Sequence, residues 1–210
     1  MNITALRPRF LKHIEPIATV FCRAGVSPNQ ISLISLLFGL LCAVCYVCRM
    51  FAIGSIFLFF SAILDLVDGS VARRTEKETQ FGSVFDWIVD KYVDALVILA
   101  IGLSGTAILS RFGGLTVSAD YAVVAIAIIG SLMNTFIKPV VYAETGYQER
   151  VDGKIEDPLE GVGFFGRPET ILVLVVGGLT GFIWVAVVLI AIGTNVSAIQ
   201  RIIYLYKRLS

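Results

Sequence analysis

Long uncharged runs alternate with short polar clusters along this chain. Residues 31–47, 51–64, 95–110, 121–137 and 170–200 contain no Asp, Glu, Lys or Arg. A helix needs roughly 20 predominantly apolar residues to cross the hydrocarbon core of a bilayer. Within that core a helix satisfies its own backbone hydrogen bonds. The pattern predicts an all-α polytopic membrane protein with six transmembrane helices, at about 28–48, 51–73, 82–109, 119–143, 168–180 and 182–207. The stretch after residue 168 is too long for one ordinary span, so GGLTG, Gly177 to Gly181, reads as a tight turn between the last two helices.

The first 26 residues follow a different pattern. Ile3, Leu6, Phe10, Ile14, Ile17 and Phe21 share one helical face, and basic residues lie elsewhere on the helix. That pattern predicts an amphipathic helix lying at the membrane interface. Charges spread through the segment exclude a cleavable signal, which needs an uninterrupted apolar core. The chain divides into a juxtamembrane helix, 1–26, and a six-helix membrane domain, 27–210.

Charge adds orientation. Of the 210 residues, 57% are hydrophobic and only 16% charged, against about a quarter charged in soluble domains. The net charge of +1 implies no nucleic-acid partner. Arg7, Arg9, Lys12 and Arg23 precede the first span, and Arg73, Arg74 and Lys77 lie between the second and third. Lys138, Arg150, Lys154 and Arg167 surround the fourth connection, and Arg201, Lys207 and Arg208 close the chain. The other side holds only Arg49 and Arg111. Positive residues accumulate on the cytoplasmic side, so both termini are expected there, in a multi-pass protein of the cell membrane. Cys22, Cys42, Cys45 and Cys48 have no His or carboxylate companions nearby and read as packing residues. His13 is assigned no role. The connection from Glu144 to Gly166 is long and polar, which more often marks function or disorder.

Asp65 to Asp90, DLVDGSVARRTEKETQFGSVFDWIVD, departs most sharply from the apolar background. Asp65 and Asp68 are three apart and share a helix face. Asp86, Asp90 and Asp94 are four apart and form a second stripe. Two acidic faces at neighbouring helix ends repel unless a cation joins them. A donor set of carboxylates without His or Cys suits Mg²⁺ or Mn²⁺ rather than zinc, as one ion or two. Gly69 and Ala72 leave room for a ligand, Gly82 faces the same place, and Arg73 adds a guanidinium. Metal plus arginine suits a pyrophosphate or phosphodiester. Intramembrane carboxylates also mark ion pathways. A cation carrier, however, places them near the midplane, whereas these lie near one face beside an arginine.

These residues resemble a known family. The pattern D-x2-D-G-x2-A-R-x8-G-x3-D-x3-D, the signature of the CDP-alcohol phosphatidyltransferases, is met in full by Asp65, Asp68, Gly69, Ala72, Arg73, Gly82, Asp86 and Asp90. SPNQIS, Ser27 to Ser32, is similar to the family's entry to its first span, and NVSAIQRIIYLYKRL to its last helix. The resemblance implies six helices, a homodimer and a cytoplasm-facing cavity open to the bilayer. It implies that Asp65, Asp68, Asp86 and Asp90 hold two Mg²⁺ or Mn²⁺ ions and that Asp90 is also the general base. The implied reaction joins a CDP-linked lipid alcohol to a second alcohol and releases CMP. Asn29, Gly69, Arg73, Thr75 and Gly82 would line the nucleotide. Asp94, outside the signature, is expected either to orient the acceptor or to pair with a neighbouring cation such as Lys91.

A second set of cations bears on the acceptor. Lys138, Arg167 and Arg201 lie on the cytoplasmic halves of the last three spans, with the aspartates. A phosphorylated acceptor needs such partners; serine, glycerol or choline does not. GFFGRPE, Gly163 to Glu169, and AIQR, Ala198 to Arg201, resemble the branch that makes phosphatidylinositol phosphate or archaetidylinositol phosphate. That resemblance implies inositol 1-phosphate as acceptor. Glycerol 3-phosphate as acceptor, or CDP-inositol as donor, are the alternatives. The fourth span departs from the branch: SLMNTFIKPVVYAE keeps Lys138 but places Pro139 next to it and Val140 at the second basic position. Pro139 is expected to kink or end that helix.

Overall fold

The computed structural model describes residues 7–75, 79–146, 150–151, 154–155, 159 and 161–209. Ser27 begins the first long helix with a reciprocal cap. Its hydroxyl accepts from the Gln30 backbone N–H, the Gln30 carboxamide oxygen accepts from the Ser27 N–H at 2.9 Å, and Pro28 occupies the first turn. Among the described residues, seven α-helices follow chain order: α1 (Arg7–Arg23), α2 (Pro28–Val47), α3 (Phe51–Thr75), α4 (Gln80–Leu103), α5 (Val117–Thr145), α6 (Arg167–Thr180) and α7 (Ile183–Leu209). A short antiparallel pair, β1 (Arg150–Val151) and β2 (Lys154–Ile155), lies between α5 and α6. Ile3, Leu6 and Lys77, named above from the sequence, lie outside the described residues.

Among the described residues, α2, α3, α5 and α7 are long and apolar enough to cross a membrane. The other two of the six expected spans differ. α4 carries Asp86, Asp90, Lys91 and Asp94, and α6 has only 14 residues. Gly181, at φ 80°, ends α6 and turns the chain into α7; the turn falls at the last residue of GGLTG, and Gly177 to Thr180 form the end of α6. Pro139 does not end α5, although that is one of the two outcomes expected of it. The helix runs through Pro139 to Thr145 and ends only at Gly146, at φ 62°. A proline costs one helix hydrogen bond and a steric clash, which the packed length of α5 along α7 outweighs.

Small residues bring the helices close. A Cβ on Gly39 would stand 2.6 Å from the Val93 side chain, so α2 and α4 meet in van der Waals contact only because Gly39 has none. Gly178 of α6 packs against Ser55 of α3 in the same way. The core between them holds Tyr46, Val97, Ile98, Ile101, Val187 and Ile190, all fully buried. Tyr46 keeps its hydroxyl satisfied there, 2.8 Å from Ser55 Oγ. Outward-facing residues such as Leu37, Phe59, Ile126 and Ile192 are exposed apolar side chains, as lipid contact requires.

α1 is docked on the bundle. Ile14 and Ala18 are buried against Ile31, Val67 and Val71, while Ile17 and Val20 stay exposed. Arg74 at the end of α3 pairs with Glu15 at 3.0 Å and donates to Thr19 Oγ1 at 2.7 Å. At the other end of the bundle, Arg49 adopts φ 61° and donates to the carbonyls of Ser104 and Gly105, closing the end of α4. The Arg111 guanidinium lies 4.3 Å from the Trp184 ring centre. The two cations of that side are therefore tied to structure.

Candidate active site

Two helix ends build the acidic centre. Near its C-terminus α3 projects Asp65 and Asp68 from one face. α4 projects Asp86, Asp90 and Asp94, one turn apart from its second turn to just past its middle. The Thr79 hydroxyl caps α4 by accepting from the Gly82 N–H at 2.9 Å. A Cβ on Gly82 would lie 2.9 Å from Thr79 Oγ1 and 3.0 Å from Asn29 Oδ1. Gly82 therefore lets the first turn of α2, with Asn29, lie against the first turn of α4.

Asp65, Asp68 and Asp86 converge. Each offers one carboxylate oxygen, and the three oxygens lie within 4.8 Å of one another. Asp68 is buried, and its Oδ2 accepts from Ser32 Oγ at 2.6 Å. This short bond fixes the carboxylate's orientation. Ser32 is a site residue that the sequence reading did not single out. The only signal was its place in SPNQIS, one turn after the Ser27 cap. The donor set is all oxygen and anionic, which fits a hard divalent cation such as Mg²⁺ or Mn²⁺.

Arg167 sits in this centre. Its Nη1 is 2.6 Å from Asp65 Oδ2, its Nη2 is 2.7 Å from Asp90 Oδ1, and its Nε is 3.4 Å from Asp94 Oδ1. It joins α3, α4 and α6 through one planar group. Arg167 is the first residue of α6, where the helix dipole is positive and a cation is misplaced by about 0.3–1 kcal/mol. Three carboxylates reverse that balance. The Lys91 ammonium stands 2.7 Å from Asp94 Oδ2 and 3.1 Å from Thr135 Oγ1. Asp94 thus pairs with Lys91 and also meets Arg167, and Lys91 ties α4 to α5.

The remaining predicted residues fall in different surroundings. Arg73 is exposed at the end of α3, and its Nη1 is 3.5 Å from the position a Gly69 Cβ would take, so the absent side chain leaves space under the guanidinium. Thr75 donates to the Val71 carbonyl at 2.9 Å. Lys138 is half-buried on α5. Arg201 is buried on α7, and its Nε donates to the Val162 carbonyl at 3.0 Å and its Nη1 to the Asn134 carbonyl. The structure brings Arg167 to the aspartates; it gives Arg201 backbone partners that sequence reasoning did not anticipate.

Residues 25–193 match the family model described as CDP-alcohol phosphatidyltransferase. An archaetidylinositol phosphate synthase of Pyrococcus horikoshii is 28% identical over 207 residues, covering 99% of this chain and 98% of that one. An archaetidylinositol phosphate synthase of Methanothermobacter thermautotrophicus is 27% identical, covering 99% and 95%. The fold is shared with crystal structures of the Mycobacterium tuberculosis phosphatidylinositol phosphate synthase. The one with CDP-DAG bound superposes with a TM-score of 0.70 at 20% identity, covering 90% of this chain and 91% of that chain. The one in complex with manganese and citrate gives 0.72 at 19% identity, covering 92% and 88%.

Proposed function

The chain belongs to the CDP-alcohol phosphatidyltransferase family, and we propose that it transfers the phosphoryl-lipid group of a CDP-linked lipid to a hydroxyl of inositol 1-phosphate, releasing CMP. The observation that carries this reading is the fork of Arg167, an anion-binding group, held against Asp90 beside the converging Asp65, Asp68 and Asp86. A phosphate gripped by Arg167 leaves the rest of its polyol next to Asp90. The names of the two archaeal relatives, each matched over almost its whole length, support the same acceptor. Membership of a transferase family removes the cation-carrier reading.

Asp65, Asp68, Asp86 and Asp90 would hold one or two Mg²⁺ or Mn²⁺ ions. Bound there, the metal neutralises the pyrophosphate and the departing CMP. Asp90 takes the proton of the acceptor hydroxyl. That oxygen attacks the lipid-bearing β-phosphorus in line, and the bond from the β-phosphorus to the bridging oxygen breaks, so that CMP carries the oxygen away. Asn29, Gly69, Arg73, Thr75 and Gly82 line the nucleotide, with Gly69 and Gly82 giving room. Lys138, Arg167 and Arg201 face the acceptor phosphate. Asp94 holds Arg167 and Lys91 in place.

The same reading places residues 1–26 on the membrane surface and 27–210 across the cell membrane as six helices. Both termini and the carboxylates are then cytoplasmic, in a homodimer. The test is CMP release by purified protein with Mg²⁺ and a CDP-linked diacyl or diether lipid. Inositol 1-phosphate, glycerol 3-phosphate, serine and free inositol are offered separately. Turnover with inositol 1-phosphate alone is expected. Equal turnover with serine or free inositol removes the acceptor-phosphate site, and turnover with glycerol 3-phosphate alone reassigns it.

A further inference from the structure

Arg167 lies at the end of a short backbone strap, and three side chains outside the carboxylate centre hold that strap. Ser197 Oγ accepts from the Phe165 N–H at 3.0 Å. Asn134 Nδ2 donates to the Phe165 carbonyl at 2.7 Å. Arg201 Nε donates to the Val162 carbonyl at 3.0 Å, and its Nη1 reaches the Asn134 carbonyl. Asn134 belongs to α5, and Ser197 and Arg201 to α7; all three are buried. The strap has little freedom to sit elsewhere. Gly163, at φ 91°, has room for no side chain, since a Cβ there would stand 2.5 Å from Ser197 Oγ. The Phe165 ring occupies the space over Gly193 that a Cβ would fill at 2.6 Å. One residue later the Gly166 N–H donates to Glu169 Oε2 at 2.9 Å, and α6 begins with Arg167.

We propose that Asn134, Ser197 and Arg201 are positioning residues for Arg167: they clamp the Val162–Gly166 strap and so set the guanidinium on Asp65 and Asp90. From Val162 to Phe165 the strap is bound by side chains of α5 and α7, while the guanidinium it delivers acts on α3 and α4. The clamp therefore converts the spacing of the α5–α7 pair from the α3–α4 pair into the placement of one charged group. This gives Arg201 a second task beside any contact with the acceptor. The inference rests on the reading of Arg167 as the acceptor-phosphate ligand beside the base only for its effect on KM. Its effect on cation binding stands apart from that reading.

The experiment measures Mn²⁺ binding by titration calorimetry, and the KM for inositol 1-phosphate, in the full-length protein and in S197A, R167Q, S197A/R167Q, R201K and R201K/R167Q. A guanidinium on two carboxylates opposes a second cation there, so R167Q is expected to tighten Mn²⁺ binding by about tenfold or more. S197A removes one hydrogen bond, typically worth a factor of about two to ten. It is expected to tighten Mn²⁺ binding by that factor and to raise the KM, with kcat changed less. In the R167Q background neither change should remain, because a residue acting through Arg167 has nothing left to act on. R201K, which keeps the charge but has no fork, should behave likewise in Mn²⁺ binding, the readout that serves if S197A does not fold. Equal effects of S197A with and without Arg167, or no effect on Mn²⁺, overturn the proposal. A Mn²⁺ coupling without a KM change keeps the clamp and removes Arg167 from the acceptor site.

Discussion

Arg167 and Asp90 meet at 2.7 Å, guanidinium Nη2 to carboxylate Oδ1, from the first turn of α6 and the middle of α4. The same fork reaches Asp65 of α3 at 2.6 Å. One planar cation therefore touches the base of the proposed reaction and a carboxylate of the metal set. Neither lysine nor a neutral side chain reproduces two parallel bonds in fixed geometry. Under the proposed function, the arrangement sets the acceptor end of the site against its metal end.

Asp90→Asn keeps the shape of the side chain and one acceptor oxygen but cannot take a proton. General-base loss costs about 10²–10⁴ in rate, and turnover is expected to fall by that factor. Binding of CMP with Mn²⁺, followed by calorimetry, should remain within a few-fold. Near-normal turnover removes Asp90 as the base.

Ser32→Ala tests the support of a metal carboxylate. Asp68 is buried and loses its 2.6 Å hydroxyl partner. Loss of such outer partners typically weakens metal sites about 10–100-fold, and Mn²⁺ affinity is expected to drop within that range. Asp68→Ala should lose metal and CMP binding together. Metal-dependent CMP binding that survives Asp68→Ala relocates the ion.

Gly82→Ala adds a methyl group where 2.9 Å separates it from Thr79 Oγ1 and 3.0 Å from Asn29 Oδ1. Overpacking costs about 1–3 kcal/mol. The expected result is a raised KM for the CDP-linked lipid, as Asn29 moves away, with the acceptor KM little changed. An unchanged donor KM excludes this corner from the nucleotide site.

Arg201→Ala takes the buried donor from the Val162 carbonyl and the second donor from the Asn134 carbonyl, which lies within α5. An orphaned buried group costs about 1–3 kcal/mol. A lower thermal midpoint is expected together with an acceptor KM raised more than the donor KM. Equal rises in both KM values, with the lower midpoint, assign Arg201 to folding alone.

Much of this protein was legible along the chain because the signals are local. Uncharged runs mark the helices, SPNQIS opens the first long one, and Gly181 of GGLTG ends α6 at φ 80°. The signature spacing already placed Asp65 with Asp68, and Asp86 with Asp90, because helical periodicity alone puts residues three and four apart on one face. Pro139 does not end its helix: the backbone penalty of one proline is smaller than the packing gained by continuing α5 along α7.

The sequence by itself determined the helical elements, the acidic signature and the family it resembles. Only the tertiary structure decided which helix ends face one another. Ser32 reaches Asp68 across 36 residues and Arg167 reaches Asp65 across 102, separations over which no periodic pattern carries information. The strap contacts of Asn134, Ser197 and Arg201 are of the same kind. They form because α5 and α7 pack side by side and leave buried strap N–H and carbonyl groups that must find partners, a demand that exists only once the chain has folded.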